Sequence, residues 1–283
     1  MALRRTPHQC IWCLKDSSGG ATFTSKSHVL PECVGNIAQQ ILPKGIVCDG
    51  CNNRFGGGKG LEAALIDEPI FSTLVAVLGL RDIGSQFTYQ HSPSGAHRAC
   101  HIAAEVSASR IVLTTQYEIQ GQPNKPNEVR TISKCKDYRR TDLAFLSRAI
   151  HKIAFETLAH HQFVGTGIRR NRKELGDIDV FDREFDVIRT WVRRGEPQSS
   201  VRPALRIQRF DQAKTKEQLS RWGGEAHYFR QGILYALNLF NDWYIVSLTS
   251  PPDRVENDLR SWRKTQEFPN TVWMVGDRLH RAD

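Results

Sequence analysis

Short apolar runs separated by turn residues dominate the stretch from Gln86 to Ser133, and they predict strands at 87–89, 100–106, 111–119 and 129–132. The turns between them fall at 92–95 (Ser-Pro-Ser-Gly) and 121–127 (Gly-Gln-Pro-Asn-Lys-Pro-Asn), so the region reads as an antiparallel sheet. A helix follows over 142–160. It carries Leu143, Leu146, Ile150, Ile153 and Leu158 on one face and Arg148, Lys152 and Glu156 on another, and it should pack on that sheet. A second helix is predicted over 182–193, an exposed loop or linker at 195–200, strands at 226–237, 243–248 and 271–275, and a charged helix over 255–263. No internal repeat or low-complexity segment interrupts this pattern. Residues 66–283 are therefore expected to form a mixed α+β body.

The first 65 residues have a different texture. Gly, Cys and Asn are frequent, β-prone runs are short (21–24 and 45–47), and no long helical period occurs before residue 61. So small a unit needs a metal staple in place of a large core. Gly56 to Gly60 lack the G-x4-G-K-[ST] pattern of a phosphate loop and read as a flexible turn. Beyond them Leu61, Ala64, Leu65, Phe71, Leu74, Val75 and Leu78 predict helix over 61–80, interrupted at Pro69.

Charge narrows the partners. The chain has 283 residues, of which 39 are basic and 30 acidic, for a formal charge of +9; this favours a polyanion such as nucleic acid. The basic residues cluster at Lys134, Lys136, Arg139 and Arg140, at Arg169, Arg170, Arg172 and Lys173, and at Arg193 and Arg194. Phosphate contacts would suit them, and so would a solvated face. Tyr138 and Trp191 beside two clusters could stack on bases or half-fill the core. His160 and His161 read as favourable charges near a helix C-terminus. No apolar run approaches the roughly 20 residues that span a bilayer, so no membrane partner and a cytoplasmic location are expected.

Seven cysteines, an odd number, fit a metal site better than a disulfide framework. Cys10-Ile-Trp-Cys13 and Cys48-Asp-Gly-Cys51 form two C-x2-C pairs, 34 residues apart, able to close a tetrahedral Zn²⁺ site. Cys33, Cys100 and Cys135 remain, each readable as a small buried hydrophobe. Between the pairs lies Ser27-His28-Val29-Leu30-Pro31, and the second pair runs into Asn52-Asn53-Arg54-Phe55-Gly56.

Over about residues 8–65 this order of motifs resembles the zinc-knuckle kind of HNH endonuclease. The resemblance implies a ββα-metal unit in which the four cysteines hold a structural zinc while a second ion, Mg²⁺ or Mn²⁺, serves phosphodiester hydrolysis. It places His28 at the general-base position, with Asn52 as a ligand of the catalytic ion and Asn53 as its competitor. Arg54 and Lys59 lie alongside for phosphate contact. DNA is the implied substrate, with RNA as an alternative, and restriction or antiviral defence is the implied setting, with a possible homodimer to cut both strands.

Two positions depart from the family pattern. The residue before the base is often acidic there and is Ser27 here, and Gly45-Ile46 stand where an Asn is expected. Glu62, on the helix after the glycines, or Glu32 could supply the missing carboxylate to the catalytic ion. The structural readings of the same residues are a hydrogen-bonded surface histidine for His28, helix caps for Asn52 and Asn53, and a solvated helix residue for Glu62. A zinc-dependent nucleic-acid-binding protein without catalysis is the rival from another class.

Overall fold

The computed structural model describes residues 8–31, 40–57, 60–67, 87–89, 97–106, 111–119, 140–164, 178–195, 202–207, 223–229, 232–239, 242–265, 271–275 and 278–281. For 66, 67, 87–89, 97–106, 111–119, 140–143, 206, 223, 225, 228, 229, 242, 271–275 and 278–281 the backbone course alone is described. The chain is mixed α+β.

Its largest element is a six-stranded antiparallel sheet, made from β6 (Ala204–Ile207), β7 (Gly223–Phe229), β8 (Gly232–Leu239), β9 (Asp242–Ser247), β10 (Thr271–Val275) and β11 (Arg278–Arg281) in the order β11-β10-β6-β9-β8-β7. β8 shows why its sequence is apolar without alternation. Ile233, Tyr235, Leu237 and Leu239 join the larger core cluster, whereas Leu234 and Ala236 face the smaller one with Val255, Leu259 and Trp262. Both faces of the strand are covered, so both side-chain sets are apolar. The predicted single strand over 226–237 is thus a hairpin, closing at Phe229↔Gly232. Gly224 must lack a side chain there, since a Cβ would stand 2.2 Å from the Tyr235 ring.

Three further strands, β3 (Phe87–Tyr89), β4 (His97–Val106) and β5 (Ile111–Ile119), form the separate antiparallel sheet expected in that region. The expected strand at 129–132 lies outside the described residues. Between the two sheets in sequence comes α3 (Arg140–Val164), preceded in the chain by α1 (Asp49–Gly56) and α2 (Ala63–Asp67).

α3 corrects one expectation. Of the two larger sheets, it packs against β7, β8 and β9 of the six-stranded one rather than against the three-stranded one. Its polar face is largely buried as well: Lys152 is 1% exposed and Glu156 fully buried, because the N-terminal residues pack against that side through α2 and β2 (Ile41–Leu42). One contiguous apolar cluster runs from Ile11, Trp12 and Phe55 through Ile153 and Phe155 to Tyr235 and Val246.

The second predicted helix begins as a 3-10 turn, Arg183–Phe185, and continues as α4 (Asp186–Arg194), which stops at Gly195 with φ +72°. Trp191 of α4 is buried in the core, which removes it from base stacking. α5 (Pro252–Lys264) has Pro252 in its first turn, where no intrahelical N–H is needed, and Asp253 near its N-terminus and Arg263 and Lys264 in its last turn complement the helix dipole. It covers the far face of the six-stranded sheet with Val255, Leu259 and Trp262.

The N-terminal residues form strands elsewhere than expected. Neither 21–24 nor 45–47 is a strand; β1 (Ser27–His28) pairs instead with β2, with Ser27 opposite Leu42 and His28 opposite Ile41. The 24–25 backbone is diverted by Asp49, whose carboxylate accepts the amides of Thr24 and Ser25. Past α1, Gly60 comes so close to the end of that helix that a Cβ on it would lie 2.2 Å from the Phe55 carbonyl oxygen; residues 58 and 59 of the glycine turn lie outside the described residues. Of the helix expected over 61–80, residues 61–62 form a turn and α2 is helical, and residues 68–80 lie outside the described residues.

Candidate metal centre and the residues around it

The cysteine sulfurs of Cys10, Cys13, Cys48 and Cys51 all lie within 4.8 Å of one another. The first knuckle turns back through Leu14 at φ 58°, with the Leu14 amide donating to the Cys10 carbonyl at 2.8 Å. The second opens α1: Cys48 is its N-cap, and its carbonyl accepts from Cys51 and Asn52. The Ile11 amide donates to the Ile46 carbonyl at 2.9 Å and holds the two knuckles together.

The donor set fits zinc. Four sulfurs at Zn–S bonds of about 2.3 Å in a tetrahedron stand about 3.8 Å apart, and Cys13 and Cys48 are separated by 3.7 Å. A hydrogen bond from Cys51, helped by the Cys48 amide, draws the Cys10 thiol down to about 5, while burial pushes Cys48 up to about 11. Cys51 is raised too, first by its hydrogen bond to Cys10 and then by burial. A divalent ion at the centre would supply the charge that stabilises all four sulfurs as thiolate ligands. Among the described residues no other group of three His, Cys, Asp or Glu converges in this way.

Around this centre the chain positions a second group of side chains. The Asp49 carboxylate accepts the Thr24 and Ser25 amides at 2.9–3.1 Å and both of their hydroxyls, and those hydrogen bonds hold it well below the usual carboxylate range. The Asn52 amide nitrogen donates to the Lys26 carbonyl at 3.2 Å and lies 3.4 Å from Ser25 Oγ. Together they fasten the segment leading into β1 onto the first turn of α1. His28 follows two residues later, its imidazole half-buried. Asn53 and Arg54 are exposed on α1, and neither is brought into the same contacts.

Ser27 points the other way. It is 3% exposed, and its hydroxyl reaches Glu156 Oε2 at 3.5 Å. An acidic residue at this position would set a second carboxylate against a buried one, so its absence follows from how β1 packs. Glu62 is committed as well, with Oε1 2.9 Å from Lys152 Nζ. Lys152 also contacts Glu156 Oε2 at 3.1 Å and the His28 carbonyl at 2.9 Å. Burial is the main influence on the Glu156 carboxyl and raises it, against the lowering effect of Lys152 and Trp12.

Lys152, Glu156, Trp12 and Arg189 are the polar and anchoring residues that sequence reading missed. Trp12 Nε1 donates to Glu156 Oε1 at 2.8 Å, and its ring meets Phe55 and Phe155 edge-on, each at 5.1 Å. Arg189 Nε donates to the Ile11 carbonyl at 2.7 Å, and its other nitrogens bind the carbonyls of Val180 and Asp182 and the Asp186 carboxylate. A Lys-x3-Glu spacing is ordinarily a surface pair, so nothing local marks Lys152 and Glu156 as buried. The reading of His160 and His161 as helix-end cations also fails: burial lowers both, His161 to about 4, and outweighs the dipole.

The remaining nucleic-acid candidates Lys59, Lys134, Lys136, Arg139, Arg169, Arg170, Arg172 and Lys173 lie outside the described residues, as do Glu32 and Cys33. So does the side chain of Arg140, the first residue of α3. Among the described residues no helix is long and apolar enough to cross a membrane. No protein-family model, curated protein or solved structure matches the chain.

Proposed function

We propose that residues 8–65 form a zinc-stapled HNH-type unit that hydrolyses phosphodiester bonds of DNA with a divalent ion, Mg²⁺ or Mn²⁺. The supporting observation is the order of parts around the four cysteines. A hairpin carries His28 on β1, and α1 follows directly from the second knuckle, with Asn52 bonded back to the strand that leads to His28. His28 would take a proton from the attacking water, and Asn52 would offer its amide oxygen to the ion. The ion supplies charge at the scissile phosphate. The zinc only holds the frame, and the net positive charge favours a polyanionic substrate.

A second reading, a nucleic-acid-binding protein without catalysis, draws on the inward Ser27 and the engagement of Glu62 with Lys152. Supercoiled plasmid separates the two. Wild type and His28→Ala, each retaining one zinc, are incubated with Mg²⁺, Mn²⁺ or EDTA. Nicking by wild type that His28→Ala and EDTA both abolish is the expected result. Retarded but intact plasmid under every metal favours the binding protein, and cleavage that survives in His28→Ala overturns the assignment of the base.

A further inference from the structure

Lys152 is the point where the body of the protein reaches the strand that carries His28. Its ammonium is buried, and each of its three N–H groups has an acceptor: the His28 carbonyl at 2.9 Å, Glu62 Oε1 at 2.9 Å and Glu156 Oε2 at 3.1 Å. The two carboxylates come from opposite sides, Glu156 one turn along α3 and Glu62 from the segment after the glycine turn. Such a group costs several kcal/mol to desolvate, and the cost is offset only where the acceptors are held in place. The ammonium therefore fixes three things at once: the peptide plane of His28, the rotamer of Glu62 and the docking of β1 on α3.

From this geometry we infer that Lys152 is a positioning residue for the His28 site. It acts through the His28 peptide, and the inference rests on the nuclease reading only for its kinetic consequence. Ser27, on the other face of β1, is held by Glu156 of the same network, so residues 27 and 28 are tied to α3 at a side chain and at a carbonyl. β1 pairs Ser27 and His28 with β2, and the Lys152 contact adds a tie from the His28 peptide to α3. A shift of the order of 1 Å in such a base costs about 100-fold in rate.

The test uses the full chain with zinc bound. Lys152→Met alone leaves Glu62 and Glu156 facing each other without the ammonium and is expected to fold poorly. The informative pair is therefore Glu156→Gln, which keeps Lys152 on the His28 carbonyl, and Lys152→Met/Glu156→Gln, which removes ammonium and carboxylate together. Both are checked for zinc content and melting. The expected result is that the double variant loses about 10- to 100-fold in kcat on plasmid relative to Glu156→Gln, with KM little changed.

The His28 Cε1–H cross-peak, assigned by its loss in His28→Ala, should move in the double variant and hold its place in Glu156→Gln. A folded, zinc-loaded double variant whose His28 cross-peak and kcat match those of Glu156→Gln overturns the inference. If wild type cleaves nothing yet the cross-peak moves as described, the nuclease reading fails and the positioning role of Lys152 stands.

Discussion

The two sides of α3 are covered by regions of opposite construction. On one side lies the six-stranded sheet, whose β8 is apolar on both faces and needs no ion or charge to hold it. On the other lies the cysteine unit, joined to α3 by one tryptophan and a buried Lys–Glu network, with Arg189 of α4 bonded to the same knuckle. The sheet side rests on the burial of many interchangeable hydrophobes. The cysteine side depends on a few irreplaceable groups. Ile11 and Trp12, the two residues inside the first C-x2-C, are fully buried in the core shared with α3, so the knuckle loop is itself core of the body.

The largest break in that contrast should come from Cys48→Ser. Loss of a sulfur ligand is expected to release the zinc and to unfold the cysteine unit. Because Trp12 leaves the core with it, the melting temperature of the whole chain should fall by more than 10 °C, as zinc analysis and calorimetry on the same sample would register. A variant that melts like wild type with full zinc defeats the prediction.

Trp12→Ala comes next. Removing a buried indole costs about 3–5 kcal/mol, and Glu156 also loses its Nε1 donor. Urea unfolding should show this loss together with weaker retention of zinc against a chelator. Leu259→Ala, on the far face of the six-stranded sheet, is the matched control. It should cost about 2–5 kcal/mol in the same urea assay and leave zinc retention unchanged, and equal zinc loss in both variants would erase the distinction between the two sides.

The smallest effect is a dependence on pH. His151, fully buried beneath Arg202, is lowered to about 3 by burial and that neighbouring charge, and His161 to about 4 by burial. Both stay neutral in the folded chain and take up protons when it unfolds, so their contribution to stability is fully present above about pH 6.5 and is lost as pH drops toward 4. Each contributes a slope of at most about 1.4 kcal/mol per pH unit. His151→Gln should flatten the curve of urea midpoint against pH across that window. A variant as acid-sensitive as wild type would mean the slope arises elsewhere.

Much of the fold was legible where local pattern and environment agree. The helix over 255–263 is found as Pro252–Lys264 and the strands at 111–119 and 271–275 stand at those positions, since periodicity and caps act within one element. The cysteine centre was legible for the same reason: two C-x2-C pairs carry their own geometry. The hairpin at 27–28 and 41–42 was not. The β-prone run at 21–24 is diverted by the side chain of Asp49, a contact between residues some 25 positions apart. Nor did Lys152 and Glu156 differ in sequence from a solvated pair on a helix.

The sequence alone, then, determined the mixed α+β class, several elements of the body and the sulfur set able to hold zinc, because each depends on spacing along a single segment. Tertiary structure decided that the polar side of α3 is buried, that Ser27 turns inward and His28 stays half-exposed, and that Trp12 and Lys152 join the cysteine unit to the body. Burial and charge pairing are properties of what lies opposite a residue, and for Lys152 that is Glu62, 90 positions away in the chain.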